Sequence, residues 1–102
     1  MNKRHQPRKT VPNLVAEISD GNSLHSGIVS NISHSGLVLD DISPEIKHPR
    51  EVINLTVLSN DQSYRVRAIP RWIRENNSKI TIGLKVFSVP RNWYKFVDSL
   101  LI

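Results

Sequence analysis

From Lys79 to Val86 apolar and polar side chains alternate. Ile80, Ile82, Leu84 and Val86 fall on one side, Lys79, Thr81 and Lys85 on the other. Only an extended strand gives every second residue a common face, so this segment is β and its apolar face needs a partner layer. The rest of the chain supplies short segments of the same kind. Leu14, Val15, Ala16 and Ile18 form a first strand, closed by the turn Asp20-Gly21-Asn22. Leu24, Ile28 and Ile32 are expected on one face of a second strand, and His34-Ser35-Gly36 turns into a short third, Leu37-Val38-Leu39. Pro44 and Pro49 make 42–50 an irregular connection. Ile53, Leu55 and Val57 alternate with Asn54 and Thr56 in a fourth strand. A fifth runs from about Tyr64 to Arg74, where Pro70, lacking an N–H, predicts a bulge or an edge position.

The period changes at the end of the chain. Trp93, Phe96, Val97, Leu100 and Leu101 fall at i, i+3, i+4, i+7 and i+8, one apolar stripe on a helix, and Pro90 suits its first turn. Six short strands and a terminal helix predict an all-β antiparallel barrel or sandwich, with the C-terminal α-helix covering an open end or face. The 102 residues suffice for one core and not for two. Residues 1–9 have no apolar periodicity and read as a flexible basic N-terminal arm, leaving 10–102 as the folded domain.

The net charge of +5 favours a phosphate-bearing partner: nucleic acid, an anionic membrane surface or a small phosphorylated ligand. Lys3, Arg4, Arg8 and Lys9 crowd the arm with no acid among them, and Arg65, Arg67, Arg71 and Arg74 form a second group. Several function classes fall away. Without cysteine there are no disulfides and no thiolate metal ligands. His5, His25, His34 and His48 lie in different elements, without ligand spacing, so no metal site is expected. There is no G-x-S-x-G elbow to organise a nucleophile, so the expectation is a protein that is not an enzyme. No apolar run is long enough to insert in a membrane, and the basic start leads into Gln6-Pro7-Arg8 rather than an export signal, so a cytoplasmic location is expected.

Two patterns carry chemistry. Arg4-His5-Gln6-Pro7-Arg8 is an R-x-x-x-R, and Asn31-Ile32-Ser33-His34-Ser35-Gly36 is an N-x-S-x-x-G. With eight arginines in the chain, the first alone is near what chance supplies; the second is more specific. Two arginines on an arm can present planar forks to phosphate oxygens and to the O6/N7 edge of guanine. Asn31 and Ser33, alternate residues of a strand, are expected on one outer face, with Ile32 anchored inward. Gly36 permits a tight turn or the close approach of a ligand. Trp72 can pack in the barrel or stack on a purine, and packing is the expectation.

The order of these motifs resembles the PilZ domain family, which binds the bacterial second messenger cyclic di-GMP. The segment Ile82-Gly83-Leu84-Lys85-Val86-Phe87 is also similar to that family's late barrel strand, and the resemblance covers roughly residues 4–101. It implies a six-stranded antiparallel barrel with a C-terminal helix. It also implies a ligand site in which Arg4 and Arg8 clamp phosphates and guanine, Asn31 and Ser33 hold the other side of the guanine, and Gly36 shapes the turn. Cyclic di-GMP is then the ligand and no further cofactor is expected. The arm would order over the ligand, and an unidentified protein partner would read its new position. Two rival readings remain. One is a PilZ-like adaptor that works through protein contacts without nucleotide. The other is a single-stranded nucleic-acid-binding barrel, which needs several aromatic residues on one outer face, where only Tyr64 and Trp72 are candidates. Nucleic acid is therefore not the expected partner.

Overall fold

The computed structural model describes residues 14–19, 23–45, 52–60 and 62–100. Six antiparallel strands, β1 (Val15–Ser19), β2 (Leu24–Ile32), β3 (Gly36–Ile42), β4 (Ile53–Ser59), β5 (Gln62–Asn76) and β6 (Lys79–Ser88), close into a barrel in the order β1-β2-β3-β6-β5-β4. The pairing of β1 with both β2 and β4 completes the ring. Closure removes the sheet edges that would otherwise present unpaired backbone groups. The alternation read from the sequence fills the interior: Ala16, Ile18, Leu37, Leu39, Ile53, Leu55, Val57, Val66, Ile80, Ile82, Leu84 and Val86 are all buried. Asn60 and Asn77 adopt positive φ (53° and 54°) in two of the predicted turns, a conformation asparagine tolerates better than most residues.

The face assignment of β2 differs from its apparent alternation. Ile32 is fully buried, but Leu24 and Ile28 are 69 % and 46 % exposed. A register shift between Val29 and Asn31 inserts one residue and inverts the facing of the strand beyond it. Val29 and Ile32 therefore both point inward, three residues apart. β5 is longer than its hydropathy suggested. Its first half pairs with β4 up to Ala68, whereas the second half pairs with β6 alone. Pro70 lies in that second half, beside a register shift between Pro70 and Trp72, as its missing N–H predicts. Thr81, placed on the outer face of β6 by period, is nevertheless buried. Asn76 Nδ2 donates to its hydroxyl at 2.8 Å, and the hydroxyl donates to Asp40 at 2.8 Å, joining β5, β6 and β3.

The helix α1 (Trp93–Leu100) begins later than Pro90, which instead accepts the Trp93 N–H at 3.1 Å in the preceding turn. Trp93, Phe96 and Val97 are buried and Leu100 packs against the core; Leu101 lies outside the described residues. Phe96 stacks on Tyr64 of β5 with ring centroids 4.1 Å apart, and Trp93 meets the same ring edge-on at 6.2 Å. The helix therefore plugs the barrel with aromatic area, and Tyr64 is spent in the core.

Candidate functional site

The N-x-S-x-x-G segment spans the end of β2 and the turn into β3. Asn31 is the penultimate residue of β2, opposite Val38. Ser33 lies just beyond the strand and is only 1 % exposed, so the expected pair of outward alternate residues is not what forms. The turn tucks Ser33 under the surface, where its N–H donates to the Gly36 carbonyl at 2.9 Å. The turn is held from two more sides. The Val86 N–H donates to Ser35 O at 2.9 Å, and the Trp93 indole N–H donates to His34 O at 2.9 Å. His34 also meets Asp98 at 2.6 Å and Tyr94 edge-on at 5.0 Å. The helix thus fixes the backbone of the segment while leaving the Asn31 and Ser33 oxygens uncommitted. Asn31 Oδ1 and Ser33 Oγ are buried and have no hydrogen-bond partner among the described residues. Such atoms cost about 1–3 kcal/mol each unless something satisfies them.

Beside this turn is a groove of about 230 Å³, lined by Ser33, Gly36, Arg71, Trp72, Gly83 and Lys85 among others. None of its lining residues is acidic, and Arg71 and Lys85 give it positive charge. The register explains its shape. Asn31 pairs with Val38, Val38 with Gly83, and Gly83 with Trp72, one cross-strand row over four strands. At about 4.8 Å per strand the row spans ~14 Å, with the small Gly83 in its floor. Trp72 does not pack in the barrel. It is 41 % exposed and lies across Gly83, where a Cβ would stand 2.6 Å from its Cζ2 and nearer still to Cε2 and Nε1. Arg71, Trp72 and Lys85 were not singled out for this site from sequence. The available signal was Gly83, a side-chain gap inside an otherwise clean strand.

Arg4 and Arg8 lie outside the described residues. Arg65 and Arg67 are exposed on β5, with Arg67 5.6 Å over the Phe87 ring. They line a different groove of about 500 Å³, which mixes them with Glu17, Leu24 and Asn54 and includes none of Asn31, Ser33 or Gly36. Size alone favours that groove; the charge and the uncommitted oxygens favour the smaller one. Among the described residues no cluster of three or more histidines and acids is placed to hold a metal ion. No helix there is long and apolar enough to cross a membrane.

The PilZ domain family profile matches residues 2–93. The chain belongs to the PilZ family. No curated protein sequence matches it significantly. Solved PilZ-like structures agree on the fold. The Bacillus subtilis inhibitor of motility (MotI/DgrA) superposes with a TM-score of 0.78 at 15 % identity, over 99 % of this chain and 50 % of the other. The PilZ domain of Escherichia coli YcgR, solved with c-di-GMP, gives a TM-score of 0.75 at 10 % identity, over 98 % and 89 % of the two chains. This PilZ domain thus spans half the length of the Bacillus protein.

Proposed function

We propose that this PilZ domain is a receptor for cyclic di-GMP, with Arg4, Arg8, Asn31, Ser33 and Gly36 as its ligand-binding residues. The observation that carries the reading is the pair of uncommitted buried oxygens, Asn31 Oδ1 and Ser33 Oγ, at the rim of a cationic groove. A guanine edge and a phosphodiester match those groups, since guanine N–H groups can donate to the oxygens while phosphates meet the cations. The arginine pair is within reach. Leu14 O accepts the Val29 N–H at 2.9 Å, so the folded chain begins beside the strand that bears Asn31. Six extended residues cover ~20 Å, enough for Arg8 to come over the groove. On this reading residues 1–9 close on the ligand, and a protein partner reads the surface that closure creates. No catalytic step is part of it.

The ring contacts speak against a single-stranded nucleic-acid barrel. Tyr64, one of its two aromatic candidates, is 7 % exposed and stacked on Phe96. Titration calorimetry with cyclic di-GMP tests the proposal, with GTP and cyclic di-AMP as controls. Micromolar or tighter binding of cyclic di-GMP and much weaker binding of cyclic di-AMP is the expected result, since only guanine offers the O6/N7 acceptor pair. Equal binding of the two dinucleotides removes the guanine-reading claim, and no heat with cyclic di-GMP removes the proposal.

A further inference from the structure

Trp72 is an unusual use of a large apolar residue. In the closed part of the barrel the apolar side chains of β5 point inward, Tyr64, Val66 and Ala68 all being buried. The register shift between Pro70 and Trp72 then throws the indole onto the outside, in the row that begins at Asn31. Its resting place needs Gly83, because any Cβ there would collide with the ring. One part of the ring is thereby seated on backbone. The remainder is 41 % exposed even with the Arg74 guanidinium standing 5.1 Å from the ring centroid. Nothing in the core requires this arrangement. It forms a flat wall on a groove whose other members are Arg71, Lys85 and the buried Ser33, 1 % exposed, with an unpartnered hydroxyl.

A flat π surface flanked by guanidinium groups is suited to a nucleobase, which has a π face and attached phosphate. We infer that Trp72 is the stacking platform for one base of the bound dinucleotide, with Arg71 and Lys85 as the cations that take the phosphate on that side of the groove. This rests on the function proposed above and extends its site from the β2–β3 turn across β6 to β5. Gly83 belongs to the site through the seat it leaves for the indole. Arg74 is an exposed side chain on the same ribbon, free in position to stay stacked on the ring or yield to the base.

The test uses the full chain. Cyclic di-GMP is titrated calorimetrically into the parent protein, Trp72→Leu, Trp72→Phe and Gly83→Ala, with a thermal melt of each. Trp72→Leu is expected to weaken binding at least tenfold with an unchanged melting midpoint, Trp72→Phe to stay within about threefold, and Gly83→Ala to weaken binding by displacing an intact indole. Fluorescence supplies a readout that a packing role does not move. The chain has two tryptophans, and Trp93 is fully buried, so ligand quenching in the parent is expected to vanish in Trp72→Phe. If the parent binds and Trp72→Leu binds as tightly, or if quenching persists in Trp72→Phe, the platform is wrong and the receptor reading stands. If the parent does not bind, both fail.

Discussion

Ser33 and Trp93 illustrate two opposite uses of a buried polar atom. The Trp93 indole N–H is matched to the His34 carbonyl at 2.9 Å, and the ring is fully buried against Tyr64 and Phe96. Trp93→Ala empties that space and orphans the carbonyl, so a loss of about 3–5 kcal/mol is expected in denaturant unfolding. A midpoint unchanged by this substitution contradicts the packing. The Ser33 hydroxyl, equally buried, is matched to nothing among the described residues. Ser33→Ala is therefore expected to leave stability unchanged or raise it by up to about 1 kcal/mol, while weakening cyclic di-GMP binding. Destabilisation by Ser33→Ala, measured in the ligand-free protein, contradicts this division. Composition made Trp93 legible as core, because its helical stripe leaves it no other face. Neither the burial of Ser33 nor the outward turn of Trp72 was legible. Both follow from where a strand ends or shifts register, which side-chain type does not encode.

At the scale of elements, the strands were legible wherever alternation ran unbroken, as in β4 and β6. They were misread where a single inserted residue inverted the faces. In β2 that insertion exposes Leu24 and Ile28 and brings Val29 inside, yet it alters neither the composition nor the length of the apolar run. The β5–β6 ribbon beyond Ala68 loses β4 as a neighbour, so something other than the barrel ladder must hold it. The chain of hydrogen bonds from Asn76 through Thr81 to Asp40 does so, inside a part-buried seam. Thr81→Val keeps the shape and removes both bonds, for an expected cost of about 1–2 kcal/mol. Hydrogen exchange is expected to accelerate in residues 72–82 and not in β1 or β4. Uniform acceleration through the barrel means that the seam has no local role. If the ribbon carries the Trp72 platform, Thr81→Val also weakens ligand binding without touching the groove.

For the whole molecule, the sequence counted six strands and a helix but did not show their order. That β3 neighbours β6 while β4 neighbours β1 and β5 is a long-range fact, fixed by closure rather than by any local signal. Closure in turn sets where charge can act, putting Arg65 and Arg67 on a different groove from Arg71 and Lys85. A barrel that binds through diffuse positive charge loses affinity gradually with every cation removed, and steeply with salt. A dinucleotide receptor concentrates the loss in a few forks. Arg8, six residues before Leu14 in the chain, distinguishes these behaviours. Arg8→Ala is expected to leave the melting midpoint of the free protein nearly unchanged, because Arg8 precedes β1 and the barrel core is assembled without it. It is expected to weaken cyclic di-GMP binding tenfold or more, equivalent to about 1.4 kcal/mol or above. Arg8→Lys restores little, since a point charge cannot reproduce a planar two-donor fork. Arg65→Ala serves as the control and leaves the dissociation constant within about twofold at any salt concentration. Calorimetry on these variants at low and high salt decides the matter. Equal losses from Arg8→Ala and Arg65→Ala indicate diffuse charge, and an Arg8→Ala protein that binds like the parent shows that the arm is not the clamp.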